Sequence, residues 1–130
     1  MPATTPKIKI NAVKHHGGEW LDIELIGTTF DDALAAGLKF SEENNAVFIH
    51  AFDNLNVIEG QGGLAVEILE EWPSQQNLDY IFVTVGGGGL ASGVGSYLQQ
   101  MAPDINLIGF EPLGSPSMYN SLKEGKPIVL

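Results

Sequence analysis

Four consecutive glycines stand between an apolar run and a helical pattern in "YIFVTVGGGGLASGV", residues 80–94. Glycine adopts positive φ at no steric cost and lets a ligand come close to the backbone. At the start of a helix the first amides have no intrahelical acceptor, and the helix dipole favours a negative charge. The run therefore predicts a backbone site for a small anion such as a phosphate group. The alternative is a tight turn whose glycines serve packing alone, although ordering four glycines in a row is entropically costly.

Known nucleotide-binding motifs narrow the chemistry of this run. A P-loop requires Gly-Lys followed by Ser or Thr, and the residue directly after these glycines is Leu90 instead of a lysine. The dinucleotide fingerprint G-x-G-x-x-A is met by Gly86, Gly88 and Ala91. Glu111 sits at the end of the next strand pattern, where such a fold places its ribose-binding acid. A Rossmann-type dinucleotide-binding module therefore stays open as an alternative, although the fingerprint gives Gly87 no role.

Helix and strand patterns alternate around the glycines, and these elements must position them. The periodicity predicts helices in residues 4–18, 28–45, 59–72, 90–103 and 115–125, and strands in 20–27, 46–52, 79–85 and 106–112. The strand pattern "DYIFVTV" is apolar throughout, as in a strand of a parallel sheet that is buried on both faces. We therefore predict an α/β fold, with alternating helices and mostly parallel strands in a layered sheet.

Local signals fix several helix ends. Thr29 is followed three residues later by Asp32, which predicts a capping box. In the third helix the apolar stripe is predicted to be Leu64, Ile68 and Trp72, and Pro73 should end that helix.

Composition excludes several kinds of partner. The net charge of −10 repels nucleic acid and anionic lipid, so we expect no nucleic-acid partner. Neither a signal peptide nor a membrane-spanning stretch is visible, and we also expect no membrane partner. The chain has no cysteine, which is consistent with a reducing cytoplasm, and we expect a cytoplasmic protein. It also has no arginine, so a phosphate here would be held by backbone amides without a guanidinium fork.

Segments outside the glycine run extend the pattern: "TTPKIKINAV", "TFDDALAAG", "NVIEGQGGLAVEIL" and "LIGFEPLGSPSMYNSL". With the run, they resemble the threonine dehydratase (threonine ammonia-lyase) family of fold-type II pyridoxal-phosphate enzymes, over essentially all 130 residues and in the family's order. The resemblance implies pyridoxal 5'-phosphate as cofactor and Phe52 as a wall of the substrate pocket; the alternative for Phe52 is a core aromatic residue without a ligand role. The residues that it implies for holding the cofactor phosphate are Gly86, Gly87, Gly88, Gly89 and Leu90.

The same resemblance implies an activity and a domain division for the parent enzyme. L-threonine or L-serine would lose its α-proton and its β-hydroxyl and yield a 2-oxo acid and ammonia, as in isoleucine biosynthesis. Residues 1–54 would belong to a smaller domain and residues 55–130 to a larger, phosphate-binding domain. The partners implied are an amino-acid substrate, the remainder of the parent enzyme and further copies in a homo-oligomer. A serine racemase or serine dehydratase relative stays an alternative, because the chemistry is shared up to proton removal.

The family's Schiff-base lysine is missing from this chain. The family places it in a Ser-x-Lys-x-Arg-Gly context, which a chain without arginine cannot contain. We therefore predict that no catalytic residue lies within these residues, that they form an internal segment of a larger enzyme, and that the chain alone is inactive.

Other polar residues give weaker signals. Some relatives, serine racemases among them, bind a divalent cation through the acid at the position of Glu111 and a second acid six residues later. That second position is Ser117, and we expect no metal site. The neighbouring His15 and His16 are expected to be solvated near a helix C-terminus. His50, which ends an apolar run, is expected to be a hydrogen-bonded structural histidine.

Overall fold

The computed structural model describes residues 1–73 and 76–128. Its contacts divide the chain into two compact units, Met1–Phe48 and Ile49–Leu130. The predicted division at residues 54 and 55 into parts of a smaller and a larger domain stays a prediction, because these units do not define the domains of a longer enzyme. The glycine run, Phe52 and Glu111 all belong to the second unit.

The first unit contains two helices. Helix α1 is Lys7–Gly17, followed by a single 3₁₀ turn at Gly18–Trp20, and helix α2 is Phe30–Asn44. The predicted capping box of α2 is confirmed. The amide of Asp32 donates to Thr29 Oγ1 at 3.1 Å, and the amide of Thr29 donates to Asp32 Oδ2 at 3.0 Å.

The second unit contains a helix followed by a βαβ unit and a closing helix. Helix α3 is Leu55–Glu71, strand β1 is Tyr80–Thr84, helix α4 is Gly89–Met101, strand β2 is Asn106–Phe110 and helix α5 is Ser117–Glu124. The two strands pair in parallel, with Tyr80 opposite Asn106 and Thr84 opposite Phe110. The predicted α/β class with parallel strands is therefore confirmed, and the carboxyl ends of both strands lie at one edge of the sheet.

The buried core lies between the sheet and helices α3 and α4. Its fully or nearly buried side chains are Ala65, Ile81, Val83, Val94 and Leu98. The helices approach closely because two glycines face each other: a Cβ built on Gly93 would stand 2.7 Å from the amide nitrogen of Gly62 and would also collide with the carbonyl oxygen of Ile58. This contact places the N-terminal half of α4, and with it the glycine run, against α3.

Two predicted strands are wrong. Residues 20–27 and 46–52 form neither a strand nor a bridge in the described chain, because extended backbone counts as a strand only when a neighbour completes its hydrogen-bond ladder. In the first segment the described backbone bonds are confined to its end: Met1 donates from its amino group to the Glu24 carbonyl, Ile26 donates to the Met1 carbonyl, and Ala3 donates to the Gly27 carbonyl. In the second segment the chain turns at His50, as described below.

The predicted stripe of α3 is also partly wrong. Leu64 is 42% exposed, whereas its neighbour Ala65 is fully buried. Because α4 approaches α3 closely at Gly62, that face of α3 has room only for a small side chain such as that of Ala65. Ile68 packs against the core as predicted.

Candidate functional site

The glycine loop, residues 86–90, joins the carboxyl end of β1 to the first turn of α4. Gly88 is the N-cap of α4 and has φ 89° and ψ −6°, a left-handed conformation that favours glycine. Its carbonyl accepts the first helical bond, from the Ser92 amide at 2.8 Å. The amides of Gly89, Leu90 and Ala91 precede this bond, so they have no acceptor within the helix. The loop therefore presents backbone donors at the positive end of a helix, as an anion site requires.

Three of the four glycines have a packing reason. A Cβ on Gly87 would stand 2.5 Å from Phe52 Cδ1, and one on Gly89 would stand 2.9 Å from Phe52 Cβ. A Cβ on Gly88 would stand 2.9 Å from Met118 Cε. Gly86 differs, because a Cβ there would meet nothing within 4 Å and its φ is not positive. The packing interpretation of the run thus accounts for Gly87, Gly88 and Gly89 but leaves Gly86 unexplained.

A cavity of about 280 Å³ opens on the loop. Its lining residues are Ala51, Phe52, Val57, Gln61, Thr84, Gly86, Gly87, Gly88, Gly89 and Leu90. All six residues predicted as cofactor or substrate contacts therefore meet at one cavity, although their ligand roles stay predictions. Sequence reasoning missed Gln61 and Thr84. The signals for them were the "GQG" segment in α3 and the position of Thr84 at the carboxyl end of a parallel strand, where α/β proteins bind ligands.

A second cavity, of about 580 Å³, shares Phe52 and Gly87 with the first. Its wall also includes Met118 and Lys126. Among the described residues, Lys126 is the one lysine that lines either of these two cavities, and it is exposed. An anion at the loop would therefore find backbone amides as its chief donors; that it is held this way stays a prediction.

His50 shapes the turn that carries Phe52. Its Nδ1 accepts hydrogen bonds from the amide of Asp53 at 2.9 Å and from the amide of Phe52 at 3.3 Å. The imidazole also lies edge-on to the Phe52 ring, with centroids 4.7 Å apart and an interplanar angle of 89°. Because Nδ1 is an acceptor here, the neutral ring carries its proton on Nε2. His50 is thus a structural, hydrogen-bonded histidine, as expected, that holds Phe52 beside the glycines.

Glu111 follows β2 and lies at the same sheet edge as the loop. Its carboxylate accepts the amides of Met118 and Tyr119, each at 2.8 Å, and the Ser117 hydroxyl at 3.4 Å. These bonds lower the pKa of Glu111, with the Met118 amide as the largest cause. Both carboxylate oxygens therefore serve the first turn of α5, which argues against the ribose-binding role considered above.

No group of three or more His, Asp or Glu side chains suited to a metal ion occurs within residues 1–73 and 76–128. His15 and His16 lie in the last turn of α1 and are exposed, with ring centroids 5.2 Å apart in an edge-on arrangement.

No helix of the described ranges combines the length and apolarity that crossing a bilayer demands.

The fold and the loop define a structural class: α/β proteins in which a glycine loop at the carboxyl edge of parallel strands leads into a helix N-terminus. Comparison with known proteins gives the family. All of residues 1–130 match the model of the pyridoxal-phosphate dependent enzymes, and the chain belongs to that family.

Curated relatives are biosynthetic enzymes. The chain is 42% identical over 130 residues to the L-threonine dehydratase biosynthetic IlvA of Halalkalibacterium halodurans, covering 100% of this chain and 31% of that one. It is 50% identical over 125 residues to the protein of the same name from Staphylococcus saprophyticus, covering 94% and 29%. The chain thus spans about a third of the length of these relatives.

Solved structures agree with this assignment. The processed form of threonine deaminase isoform 2 from Solanum lycopersicum superposes with a TM-score of 0.83 at 43% identity, over 98% of this chain and 33% of that one. Maize serine racemase superposes with a TM-score of 0.84 at 32% identity, over 99% and 37%.

The residues present fit the phosphate end of the family's cofactor. The amides of Gly89 and Leu90 have no acceptor within α4, Gly86 leaves room for close approach, and such donors need no side-chain cation. A cavity of about 280 Å³ is close to the lower end of the range for small-molecule pockets, roughly 300–1,000 Å³.

Proposed function

We propose that this chain forms the phosphate-binding part of a pyridoxal-phosphate-dependent L-threonine or L-serine ammonia-lyase, which produces a 2-oxo acid and ammonia. The observation that carries the proposal is Gly86. It lines the loop cavity, has ordinary backbone φ and touches no neighbour that a side chain would displace. Close approach of a ligand gives this position a reason to be glycine.

In this proposal the bound cofactor supplies the electron sink that stabilises negative charge at the substrate α-carbon. The chain's own residues bind and orient. The amides of residues 86–90 donate to the phosphate oxygens, and the dipole of α4 adds a favourable field. Phe52, held by His50, forms an apolar wall that keeps water from one side of the loop.

The net charge of −10 does not prevent phosphate binding. At physiological ionic strength the Debye length is about 8 Å, so exposed acids farther from the loop are largely screened. The loop donors act at hydrogen-bond distance, where bonds to an ionised acceptor are stronger than neutral ones. No Asp or Glu lines the loop cavity among its described residues. The local donors therefore outweigh the global charge.

We also propose that the chain alone does not catalyse the reaction. None of its six lysines lies in the family's lysine motif. Lys126 lines the second cavity, so it is the lysine that an activity test must control for. Incubation of the chain with pyridoxal phosphate and L-threonine should give no steady production of 2-oxobutanoate. Sustained production would contradict this part of the proposal, and its loss in Lys126→Met would identify Lys126 as the lysine responsible.

A serine racemase-like function is the second candidate, favoured by the superposition on the maize enzyme. Both candidates need the same phosphate loop. The 42% and 50% identities to threonine dehydratases, against 32% to that racemase, favour the ammonia-lyase.

We further propose that the chain works in contact with more protein, either the remainder of a parent enzyme or another copy. Large apolar side chains support this: Trp20 is 91% exposed, Val47 90% and Leu55 83%. Placement in the cytoplasm and a role in isoleucine biosynthesis belong to the same proposal; the absence of cysteine is consistent with the first, and relatives named as biosynthetic L-threonine dehydratases support a biosynthetic role.

Binding of an unreactive cofactor analogue tests the proposed site. 4-Deoxypyridoxine 5'-phosphate lacks the aldehyde and so cannot form a Schiff base with the lysines. Nuclear magnetic resonance (NMR) titration of the ¹⁵N-labelled chain should shift the amides of Gly86, Gly88 and Leu90, whereas the dephosphorylated analogue should not. Nicotinamide adenine dinucleotide (NAD) serves as the competing ligand. Preference for NAD, lost in Glu111→Ala, would replace this proposal with the dinucleotide-binding alternative.

A further inference from the structure

The acid after β2 and the glycine loop after β1 leave the sheet side by side. Thr84 and Phe110 are paired at the ends of the two strands, and the Val85 amide donates to the Phe110 carbonyl at 2.9 Å. Glu111 directly follows Phe110, the last residue of β2. Its position is thus fixed by the same ladder that positions the glycine loop.

Glu111 caps helix α5 from outside that helix. The residue at the N-cap position, Pro116, makes no side-chain cap. Instead the Glu111 carboxylate accepts the amides of Met118 and Tyr119 at 2.8 Å each. Such bonds combine an ionised acceptor with the positive end of a helix, and they fix where the first turn of α5 lies.

Met118 carries this placement to the glycine loop. Its Cε lies 2.9 Å from the position of a Cβ on Gly88, so its methyl group packs on the backbone of that residue. Gly88 is the left-handed N-cap of α4, and its conformation sets the direction of the amides that follow. Met118 also borders both the cavity beside Phe52 and the cavity beside Glu111.

We propose that Glu111 is a positioning residue for the phosphate loop, acting through Met118 on Gly88. The carboxylate holds the Met118 amide, the Met118 side chain supports Gly88, and Gly88 aims the amides of Gly89 and Leu90. Glu111 itself does not touch the phosphate. The inference rests on the proposed function for its ligand, but the mechanical link is independent of it.

The first test measures the loop without any ligand. Amide hydrogen exchange and chemical shifts are recorded for the full 130-residue chain and for Glu111→Ala and Glu111→Gln. Loss of the carboxylate should speed exchange at Met118 and Tyr119, and it should also shift the Gly88 and Gly89 amides and speed exchange at Ser92. Glu111→Gln keeps one acceptor oxygen and should fall between the other two proteins.

A matched control separates positioning from general loss of stability. In the first unit, the carboxylate of Asp32 likewise accepts hydrogen bonds from backbone amides, those of Thr28 and Thr29 at the start of α2. Asp32→Asn should lower the melting temperature without moving the Gly88 or Gly89 resonances.

A double-mutant cycle tests the route. In Met118→Ala, further replacement of Glu111 should still affect the Met118 and Tyr119 amides but no longer the glycine loop. Unchanged loop resonances in Glu111→Ala, with altered Met118 and Tyr119 amides, would overturn the proposal. So would a Glu111 effect on the loop that persists in full in Met118→Ala.

The second test measures phosphate affinity. Titration with 4-deoxypyridoxine 5'-phosphate should show binding roughly 3- to 10-fold weaker in Glu111→Ala and in Met118→Ala, the size expected for coupling through packed side chains. The double variant should be no weaker than the weaker single variant. If the unmodified chain binds no phosphate, the proposed function fails while the ligand-free test still decides the link. If phosphate binds and Glu111→Ala binds equally well, the positioning role fails alone.

Discussion

The ring of Phe52 lies directly against the backbone of Gly87, so that a Cβ at residue 87 would stand 2.5 Å from Phe52 Cδ1. The carbonyl oxygen of Phe52 is similarly close to Gly89, at 3.0 Å from the position of its Cβ. The turn before α3 and the loop before α4 are therefore interlocked by contact of an aromatic residue with two glycines. This contact makes one wall of the proposed phosphate site.

The first prediction follows from this contact. Gly87→Ala should displace the Phe52 ring and lower the free energy of unfolding by about 1–3 kcal/mol, the usual cost of overpacking. Thermal and denaturant unfolding measure the cost, and the aromatic NMR signals of Phe52 report its displacement. If the clash is the cause, the same substitution should cost much less in a Phe52→Ala background. An equal cost in both backgrounds would contradict the interpretation.

The second prediction concerns the crossing of α3 and α4. Gly93→Ala sets a methyl group against the backbone of Gly62 and Ile58, which cannot move away as a flexible side chain can, so we expect a loss of about 1–3 kcal/mol or more. Gly60→Ala is the matched control, since a Cβ there meets nothing within 4 Å in the same pair of helices. It should stabilise the chain by about 0.5–1 kcal/mol through helix propensity. If urea unfolding shows a loss of stability for Gly93→Ala and a gain for Gly60→Ala, the close crossing of α3 and α4 is supported. Changes of the same sign in both variants would refute it.

The third prediction is a pH dependence in the first unit. Hydrogen bonds from the Thr28 amide, first, and then from the Thr29 amide and side chain lower the pKa of Asp32 below its ordinary value of 3.8. A carboxyl group whose folded pKa is depressed stabilises the fold fully above its unfolded pKa and loses that contribution as pH falls through the folded pKa. The difference in melting temperature between the unmodified chain and Asp32→Asn should thus be constant above about pH 5 and shrink below about pH 4.

A neighbouring acid provides the control for this prediction. Asp31 lies in the same first turn of α2 but makes none of these capping bonds. Asp31→Asn should change the melting temperature less at neutral pH. A Thr29 amide that exchanges equally fast at pH 7 in Asp32→Asn and in the unmodified chain would show that the capping box does not form.

Local signals in the sequence predicted much of this arrangement. The sequence predicts the apolar strand, the glycine loop and the following helix in their correct order, because each signal lies within a few residues of the structure that it specifies. The Thr29 and Asp32 capping box is predicted for the same reason, and so is the end of the last helix near residue 125, where Gly125 is the left-handed C-cap of α5.

What sequence missed depends on contacts between distant residues. The strands predicted in residues 20–27 and 46–52 are wrong, because alternating apolar and polar residues form a strand only when a neighbouring strand pairs with them by hydrogen bonds. The buried face of α3 shifted to Ala65 because Gly93 of α4 approaches it. The role of Glu111 as a cap for α5 is carried by amides seven and eight residues away, and no local motif encodes it.

The most direct test of the central claim is a charge placed at Gly86. Gly86→Asp adds a carboxylate in open space beside the loop amides, where it should repel a phosphate without disturbing the fold. Gly114→Asp is its match, because Gly114 is also exposed, has no positive φ and has nothing within 4 Å of a Cβ. We predict that 4-deoxypyridoxine 5'-phosphate binds at least about 10-fold more weakly to Gly86→Asp, a loss of roughly 1.4 kcal/mol or more, and unchanged to Gly114→Asp. Equal affinity of both variants, at equal melting temperature, would contradict the claim that the glycine loop holds the cofactor phosphate.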